Sequence, residues 1–483
     1  MLFASPSFLF VFLPLCLAAY FASRTMATRN AVLIAASLIF YAWGEPAYVA
    51  LMAAMTVVNY GAALAIDARD GPSRKSALIV AVGVNLAALS LFKYAGFLAD
   101  SLNLVLAPAG LSVPRPQIPL PLGISFFTFH CLSYLMDTYR RRFPANRNLS
   151  QVALYIALFP QLIAGPIVRY KTIARRLVLR RHSLGRASAG MRIFIIGLAQ
   201  KLLIADTLAP VADAVFDQSA KPGLAEAWLG ASAYTLQIYF DFAGYSTMAI
   251  GLAIIFGFSL PRNFRTPYAS TSITEFWRRW HISLSTWLRD YLYVPLGGNR
   301  HGTFNTYRNL FLTMLLGGFW HGANWTFLIW GAWHGMWLAI ERALGVKAAP
   351  TVFNPLKWAF TLLLVMLGWV IFRAENLEVA GRMYAALLPF GDWQLSELTL
   401  AHITGLQMVT LVLAWVVIAV NGARQFLASR SHEPGLTLAS AGVALQAVDL
   451  RMVALRGALL LLFCASLLKL SAQSYSPFLY FQF

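Results

Sequence analysis

"QVALYIALFPQLIAGPIVRY", residues Gln151–Tyr170, is apolar enough for lipid yet lies between two cationic flanks. Arg140, Arg141, Arg142 and Arg147 precede it, and residues 167–192 carry eight Lys or Arg and no acid. Cationic loops stay on the cytoplasmic side of a membrane, so both ends of the segment belong to one side. Pro160 and the Gly165-Pro166 pair are poorly tolerated in a straight helix. Residues 151–166 are therefore expected to dip into the membrane from the cytoplasmic face and return. Such a path is tolerated only where the irregular backbone is buried in protein or lines a wet cavity. A short helix lying at the interface is the alternative.

The rest of the chain agrees with a lipid solvent. Of its 483 residues 59% are hydrophobic and only 12% charged, with a mean hydropathy of +0.63, about half the charge of a soluble protein. Apolar stretches long enough for a ~30 Å hydrocarbon core fall near 6–22, 30–44, 48–66, 76–99, 119–138, 190–217, 224–258, 305–345 (two), 355–373, 401–422 and 450–470. The predicted fold is an all-α polytopic membrane protein of about 11 transmembrane helices with re-entrant and interfacial helices. The first span could be a signal peptide, but nothing basic precedes it and Arg24 and Arg29 follow it. An uncleaved helix with its N-terminus outside is expected. From there Arg69, Arg74 and Lys75 fall inside, 100–118 with only Arg115 falls outside, and Arg140 to Arg142 fall inside. One membrane domain is expected, with N-terminal helices over 1–138, a core over 139–345 and C-terminal helices over 346–483.

The net charge of +19 and pI of about 10.1 raise nucleic acid as a partner. The cations lie in loops already assigned to the cytoplasm, where anionic headgroups attract them, so no nucleic acid is expected. Cys16, Cys131 and Cys464 are far apart in apolar spans without metal-ligand spacing, and read as core fillers. No His-Glu-x-x-His, Gly-x-x-x-x-Gly-Lys or Gly-x-Gly-x-x-Gly occurs, which argues against a metalloprotease or an ATP-driven pump. No metal or tightly bound cofactor is expected.

Two regions are too polar for plain spans. In "STSITEFWRRWHISLSTWLRDYLYVPLGGNR", Ser270–Arg300, Ser272 and Glu275 read as a capping box, and Pro295 with Gly297-Gly298 as a stop,. Between them one amphipathic helix over 272–294 is expected at the cytoplasmic boundary. Trp277, Trp280, Leu284, Trp287 and Tyr291 form its aromatic stripe, and Arg279, Ser283, Thr286 and Asp290 share another face,. An ordinary interfacial anchor has such aromatics, but Glu275, Arg278, Arg279, His281, Arg289 and Asp290 make this one unusually polar. In "LQIYFDFAGYSTM", Gln237, Tyr239, Asp241, Tyr245 and Ser246 interrupt an apolar run. A carboxylate inside a span is costly and marks a cavity or a buried partner; Asp241 is expected to pair with an Arg or line a passage.

"GGFWHGANWTFLIWGAWHG", Gly317–Gly335, holds His321 and His334, each in a Trp-His-Gly triplet. Gly318-x-x-x-Gly322 and Gly331-x-x-x-Gly335 allow close helix approach. Thirteen residues of continuous helix would put the imidazoles ~20 Å apart, so they share a site only if the helix breaks. A histidine in a span is often an interhelical hydrogen bond. One beside Asn324 and open to a cavity can act as a general base toward a hydroxyl, and spacing does not choose between the two.

"FPQLIAGPIVRY", "FWRRWHISLSTWLRDYLYVPLGGNR", "FWHGANWTFLIWGAWHG" and the closing "PFLYFQF" together resemble the membrane-bound O-acyltransferase family, and within it the bacterial members that acetylate exported polysaccharides such as alginate. The resemblance runs from "FLFVFLPL" to Phe483 and implies a ring of helices around a central tunnel. It implies His321 as the catalytic residue, with His281, Asn324 and Asp241 as auxiliary candidates. The donor implied is a cytosolic thioester, acetyl-CoA, with Arg278, Arg279 and Arg169 toward its phosphates, and Trp277, Trp287, Asp290, Gln237 and Tyr239 along its path. The acceptor is an extracytoplasmic hydroxyl, reached through a periplasmic serine hydrolase-like partner and the polysaccharide export machinery. The expected location is the bacterial inner membrane. A D-alanyl transferase fed by a carrier protein and a transporter without acyl chemistry are the rivals; the second is disfavoured because neither the 272–294 helix nor the re-entrant segment has a second copy. Residues 374–400 and 423–449 read as loops with short helices, and His402 and His432 as surface residues.

Overall fold

The computed structural model describes residues 1–218, 221–346, 354–390, 393, 395–430, 450–472 and 478–479. Helices begin with α1 (Phe8–Ala22), α2 (Met26–Ala42), α3 (Pro46–Asp67), α4 (Gly71–Ala109) and α5 (Ile124–Tyr139). The dipping segment follows as α6 (Leu149–Ala157), α7 (Phe159–Leu162) and α8 (Tyr170–Val178). Next come α9 (Leu184–Phe216), α10 (Leu224–Ile255), α11 (Ile273–Arg279), α12 (Ile282–Leu288), α13 (Gly302–His321) and α14 (Trp325–Ala343). The chain ends in α15 (Pro355–Arg373), α16 (Leu377–Ala386), α17 (Glu397–His402), α18 (Gly405–Arg430) and α19 (Leu450–Ala472). His432 and most of the closing "PFLYFQF" lie outside the described residues.

Every expected span is helical, but the helices are not equivalent. Seven among the described residues are long and apolar enough to cross a membrane: α3, α4, α9, α10, α15, α18 and α19. The shorter α1 and α2 are apolar too. The expected spans at 119–138 and 305–345 appear as α5, α13 and α14, which are shorter or more polar. Burial separates what hydropathy cannot: the apolar window of α10 is 78% buried, those of α18 and α19 only 11%. Thus α10 is the central helix, and α18 and α19 turn most of their surface outward. Cys464, expected as a core filler, lies on such an outward face, whereas Cys16 and Cys131 are buried.

Glycines set the central contacts. At Gly190 an added Cβ would lie 2.6 Å from the Gly251 carbonyl oxygen, and at Gly197 one would lie 2.6 Å from that of Gly244. Backbones of α9 and α10 therefore touch, in the manner of small-residue membrane interfaces. Gly318 and Gly331 bring α13 and α14 equally close, each facing backbone of the other helix. Gly322, expected to continue that stripe, is instead the extended residue after α13, packed against the Phe327 ring.

The 151–166 segment folds as a broken hairpin. Residues 154–168 are all buried, and their backbone polar groups find internal partners as burial demands. The Tyr155 hydroxyl donates to the Val168 carbonyl at 2.9 Å, and the Ile167 and Val168 amides donate to Ser283 Oγ at 2.9 Å and His130 Nε2 at 3.3 Å. Its flanks stay with the other cationic loops: Arg141 pairs with Asp70, and Tyr20, Arg29, Asn30, Arg180 and His182 form one cluster, in which the Tyr20 hydroxyl lies 2.9 Å from His182 Nε2. An interfacial helix is a poorer description of a segment so fully enclosed.

Candidate active site

His321 is the last residue of α13, and its surroundings fix that helix end. The Lys93 ammonium donates to the carbonyls of Trp320 at 2.7 Å and His321 at 2.9 Å, and the Tyr94 hydroxyl donates to that of Phe319 at 3.0 Å. A helix C-terminus leaves such carbonyls unpaired and carries partial negative charge, so a cation there is doubly favourable. Lys93 and Tyr94 belong to a π-helical turn, Ser90–Tyr94, inside the long α4, a distortion often found at functional sites. The imidazole is 4% exposed, with Trp330 and Phe372 at ring distances of 5.2 and 5.4 Å.

The expected 272–294 helix is broken at Trp280–His281. His281 adopts φ 41°, ψ 53°, a left-handed backbone uncommon for a side-chain-bearing residue,. The loop before α11 supports the break: the Ile282 amide donates to the Asn263 carbonyl at 2.9 Å, the Ser283 amide to Asn263 Oδ1 at 3.1 Å, and the Arg265 amide to the Arg279 carbonyl at 3.0 Å. The kink carries the His281 ring to 6.4 Å from that of His321. Backbone strain held in this way clusters at functional sites. The capping box is half formed, because Ser272 Oγ accepts from the Glu275 amide while Glu275 turns to the Thr271 amide. The aromatic stripe faces protein rather than lipid: Trp277, Trp280, Leu284, Trp287 and Tyr291 are all buried, and Trp287 stacks on Phe129 at 3.8 Å.

Two adjoining cavities reach the site from the face that the loop charges assign to the outside. One of about 140 Å³ is lined by His321, Trp320, Lys93, Ser125, Glu45 and Ile163 among others. The other, about 770 Å³, is lined by Asp100, Arg115, Gln117, Asn324 and Trp325. Lys93 and Leu120 line both.

On the opposite face the cations expected to meet a donor are mostly engaged. Arg169 pairs with Asp290 at 2.7 Å and donates to the Thr286 carbonyl at 2.9 Å, and Arg279 pairs with Glu275 at 2.5 Å. Arg278 is exposed. Burial pushes the Asp290 carboxyl up, but the hydrogen bond from Arg289 and the charge of Arg169 outweigh it and hold the group below its ordinary range.

The remaining expected residues scatter. His334 is fully buried, against Phe276 at 6.0 Å, Trp277 at 5.2 Å and Trp330 at 5.0 Å, and neither ring nitrogen has a hydrogen-bond partner among the described residues. The helix does break between the two histidines, so both rings meet the Trp330 indole. They are therefore within about 10 Å of each other rather than ~20 Å,. Asn324 caps α14 through the Thr326 amide and donates to the Glu375 carbonyl at 2.8 Å. Asp241 pairs not with an Arg but with Lys201, at 2.6 Å; Lys201 also holds Asp206 at 2.6 Å, and the Leu479 amide donates to Asp241 at 3.0 Å. Tyr239 packs against Tyr268 at 5.1 Å, and Gln237 is buried with an Oε1 that has no hydrogen-bond partner among the described residues. Lys93, Tyr94 and Lys201 escaped the sequence reading. A Lys interrupting an apolar span was the available signal, and it names no partner.

A helical membrane protein with an imidazole at the inner end of an outward-opening cavity is suited to proton transfer on a substrate hydroxyl. Residues 38–379 match the model of the membrane-bound O-acyltransferase family, and the chain belongs to that family. It is an acyltransferase enzyme that spans the membrane several times. It is 55% identical to a probable alginate O-acetylase, AlgI, of Pseudomonas putida, over 100% of both chains. It is 37% identical to the peptidoglycan O-acetyltransferase of Helicobacter pylori, covering 83% of this chain and 82% of the relative. A teichoic acid D-alanyltransferase of Streptococcus thermophilus is 28% identical over 52% of this chain and 68% of its own.

Proposed function

We propose that the protein carries an acetyl group from cytosolic acetyl-CoA to an extracytoplasmic hydroxyl, acetylating an exported polysaccharide of the alginate class at the bacterial inner membrane. The observation that carries this reading is His321, an imidazole lining a cavity that adjoins the outer vestibule. The acetyl group and the polymer class rest on the full-length relatives named as alginate O-acetylases. The acceptor oxygen attacks the thioester carbonyl while His321 takes its proton. The tetrahedral intermediate collapses, the C–S bond breaks, and the departing CoA thiolate takes up a proton. Donor phosphates fall to Arg278, since Arg169 and Arg279 hold the broken helix through Asp290 and Glu275. The reading includes a tunnel joining the two faces and a periplasmic serine hydrolase-like partner whose serine receives the acetyl group before the polymer.

The test is sided. In proteoliposomes of uniform orientation, labelled acetyl-CoA is supplied at the cytoplasmic face, with the acceptor, an alginate oligomer or the partner protein, at the other. Label on the acceptor supports the reading. Unconsumed acetyl-CoA, or label that never leaves the donor face, overturns it.

A further inference from the structure

We propose that Lys93 is a positioning residue of the transfer site: its ammonium group fixes the last turn of α13, and with it His321, at the neck through which the acceptor arrives. The inference rests on the function proposed above. Three observations carry it. Lys93 Nζ binds the last two carbonyls of α13 at 2.7 and 2.9 Å, lies 3.4 Å from Ser125 Oγ, and sits 6.0 Å from the Trp320 ring. No carboxylate among the described residues forms an ion pair with it, although Glu45 lines the same small cavity. It also lines both cavities, so a group passing from the outer vestibule to His321 passes the ammonium.

A lysine in lipid without an acid partner is costly and marks function by default. Packing alone does not require it, because an apolar side chain of similar length fills the same space. The two carbonyls require a donor, and Tyr94 already serves the third, that of Phe319. Replacing Lys93 by an apolar residue leaves the Trp320 and His321 carbonyls without their donor and frees the turn that aims the imidazole. The acceptor side of the reaction then suffers, while the donor site on the opposite face is untouched.

Lys93→Cys, placed in a Cys464→Ser background, tests this; the two other cysteines are buried. Turnover and the KM for acetyl-CoA are measured before and after adding 2-aminoethyl methanethiosulfonate, which restores an ammonium, or neutral methyl methanethiosulfonate, at the extracytoplasmic face. Expected are a fall in kcat of at least about tenfold, a donor KM changed by less than about twofold, and recovery of at least about fivefold with the amine reagent only. Lys93→Arg, which keeps a cation, should retain more kcat than Lys93→Met and gives the same comparison if the cysteine variant folds poorly. Full kcat in Lys93→Cys, equal rescue by both reagents, failure of the amine reagent to react from outside, or equal loss in Arg and Met variants overturns the proposal. His321→Ala run alongside separates the failures. If it stays active, both the site and the inference fall; if it is inactive while Lys93→Cys is not, the inference falls alone.

Discussion

Lys201→Met is predicted to be among the most damaging single substitutions outside the reaction site. Lys201 stands in a second π-helical turn, Gln200–Ala205, and its ammonium lies 2.6 Å from a carboxylate oxygen of Asp206 and of Asp241. All three residues are at most 5% exposed. At that distance each pair attracts by about 6 kcal/mol for an effective dielectric constant near 20. Desolvation of the three ions offsets most of this. Removing the cation therefore does not forfeit the whole attraction, but it leaves two carboxylates buried without compensation, at a net cost of about 3–5 kcal/mol. The triple variant Lys201→Met/Asp206→Asn/Asp241→Asn removes the charges together and should recover most of that loss. Equilibrium unfolding in mixed micelles, followed by tryptophan fluorescence, measures both. A single variant as stable as the parent, or a triple variant no better than the single, would refute the idea that these ions depend on one another.

Two further outcomes follow from the face that the loop charges assign to the cytoplasm. Burial, and after it the charge of Arg29, holds the His182 imidazole below its ordinary value of 6.5. The unfolded chain then binds a proton that the folded chain resists, so stability should decline as pH falls through about 6.5. His182→Gln should flatten that part of the profile, and unfolding midpoints compared from pH 7.5 to 5 check it. Arg278→Glu should raise the KM for acetyl-CoA with little change in kcat, because in the proposed reaction the exposed Arg278 side chain would meet the donor phosphates in the ground state and transition state alike; an unchanged KM places the donor phosphates elsewhere.

What the sequence disclosed, and what it withheld, follow from the range of the interactions. Pro160, Gly165-Pro166 and the cations around them announced a buried hairpin, since both signals act locally and through the membrane. The helix starts at Leu224 and Pro355 followed hydropathy for the same reason, whereas the helix expected from 76 to 99 runs from Gly71 to Ala109. His321 and His334 both stood out because an imidazole in an apolar helix is costly, and the family resemblance, not the spacing, chose His321 between them. The break at His281 was invisible, because it depends on Asn263 and Arg265 reaching across from another loop. No periodicity encodes that Lys93 would cap a helix that ends 228 residues later, or that Lys201 would be the partner of Asp241. The ~20 Å separation that a continuous helix would give the two histidines does not apply, because Gly322 and Ala323 turn the chain back, so that α13 and α14 pack face to face.

The central claim is that one imidazole performs the chemistry and the other packs. It is tested most directly by transfer of radiolabelled acetyl from acetyl-CoA to acceptor by the purified protein in lipid, with His321→Ala and His334→Ala compared against the parent. The loss expected for a general base is about 10²–10⁴-fold. His321→Ala should show it with its unfolding midpoint retained, while His334→Ala keeps most of its turnover. Substantial transfer by His321→Ala, or loss confined to His334→Ala, would contradict the account.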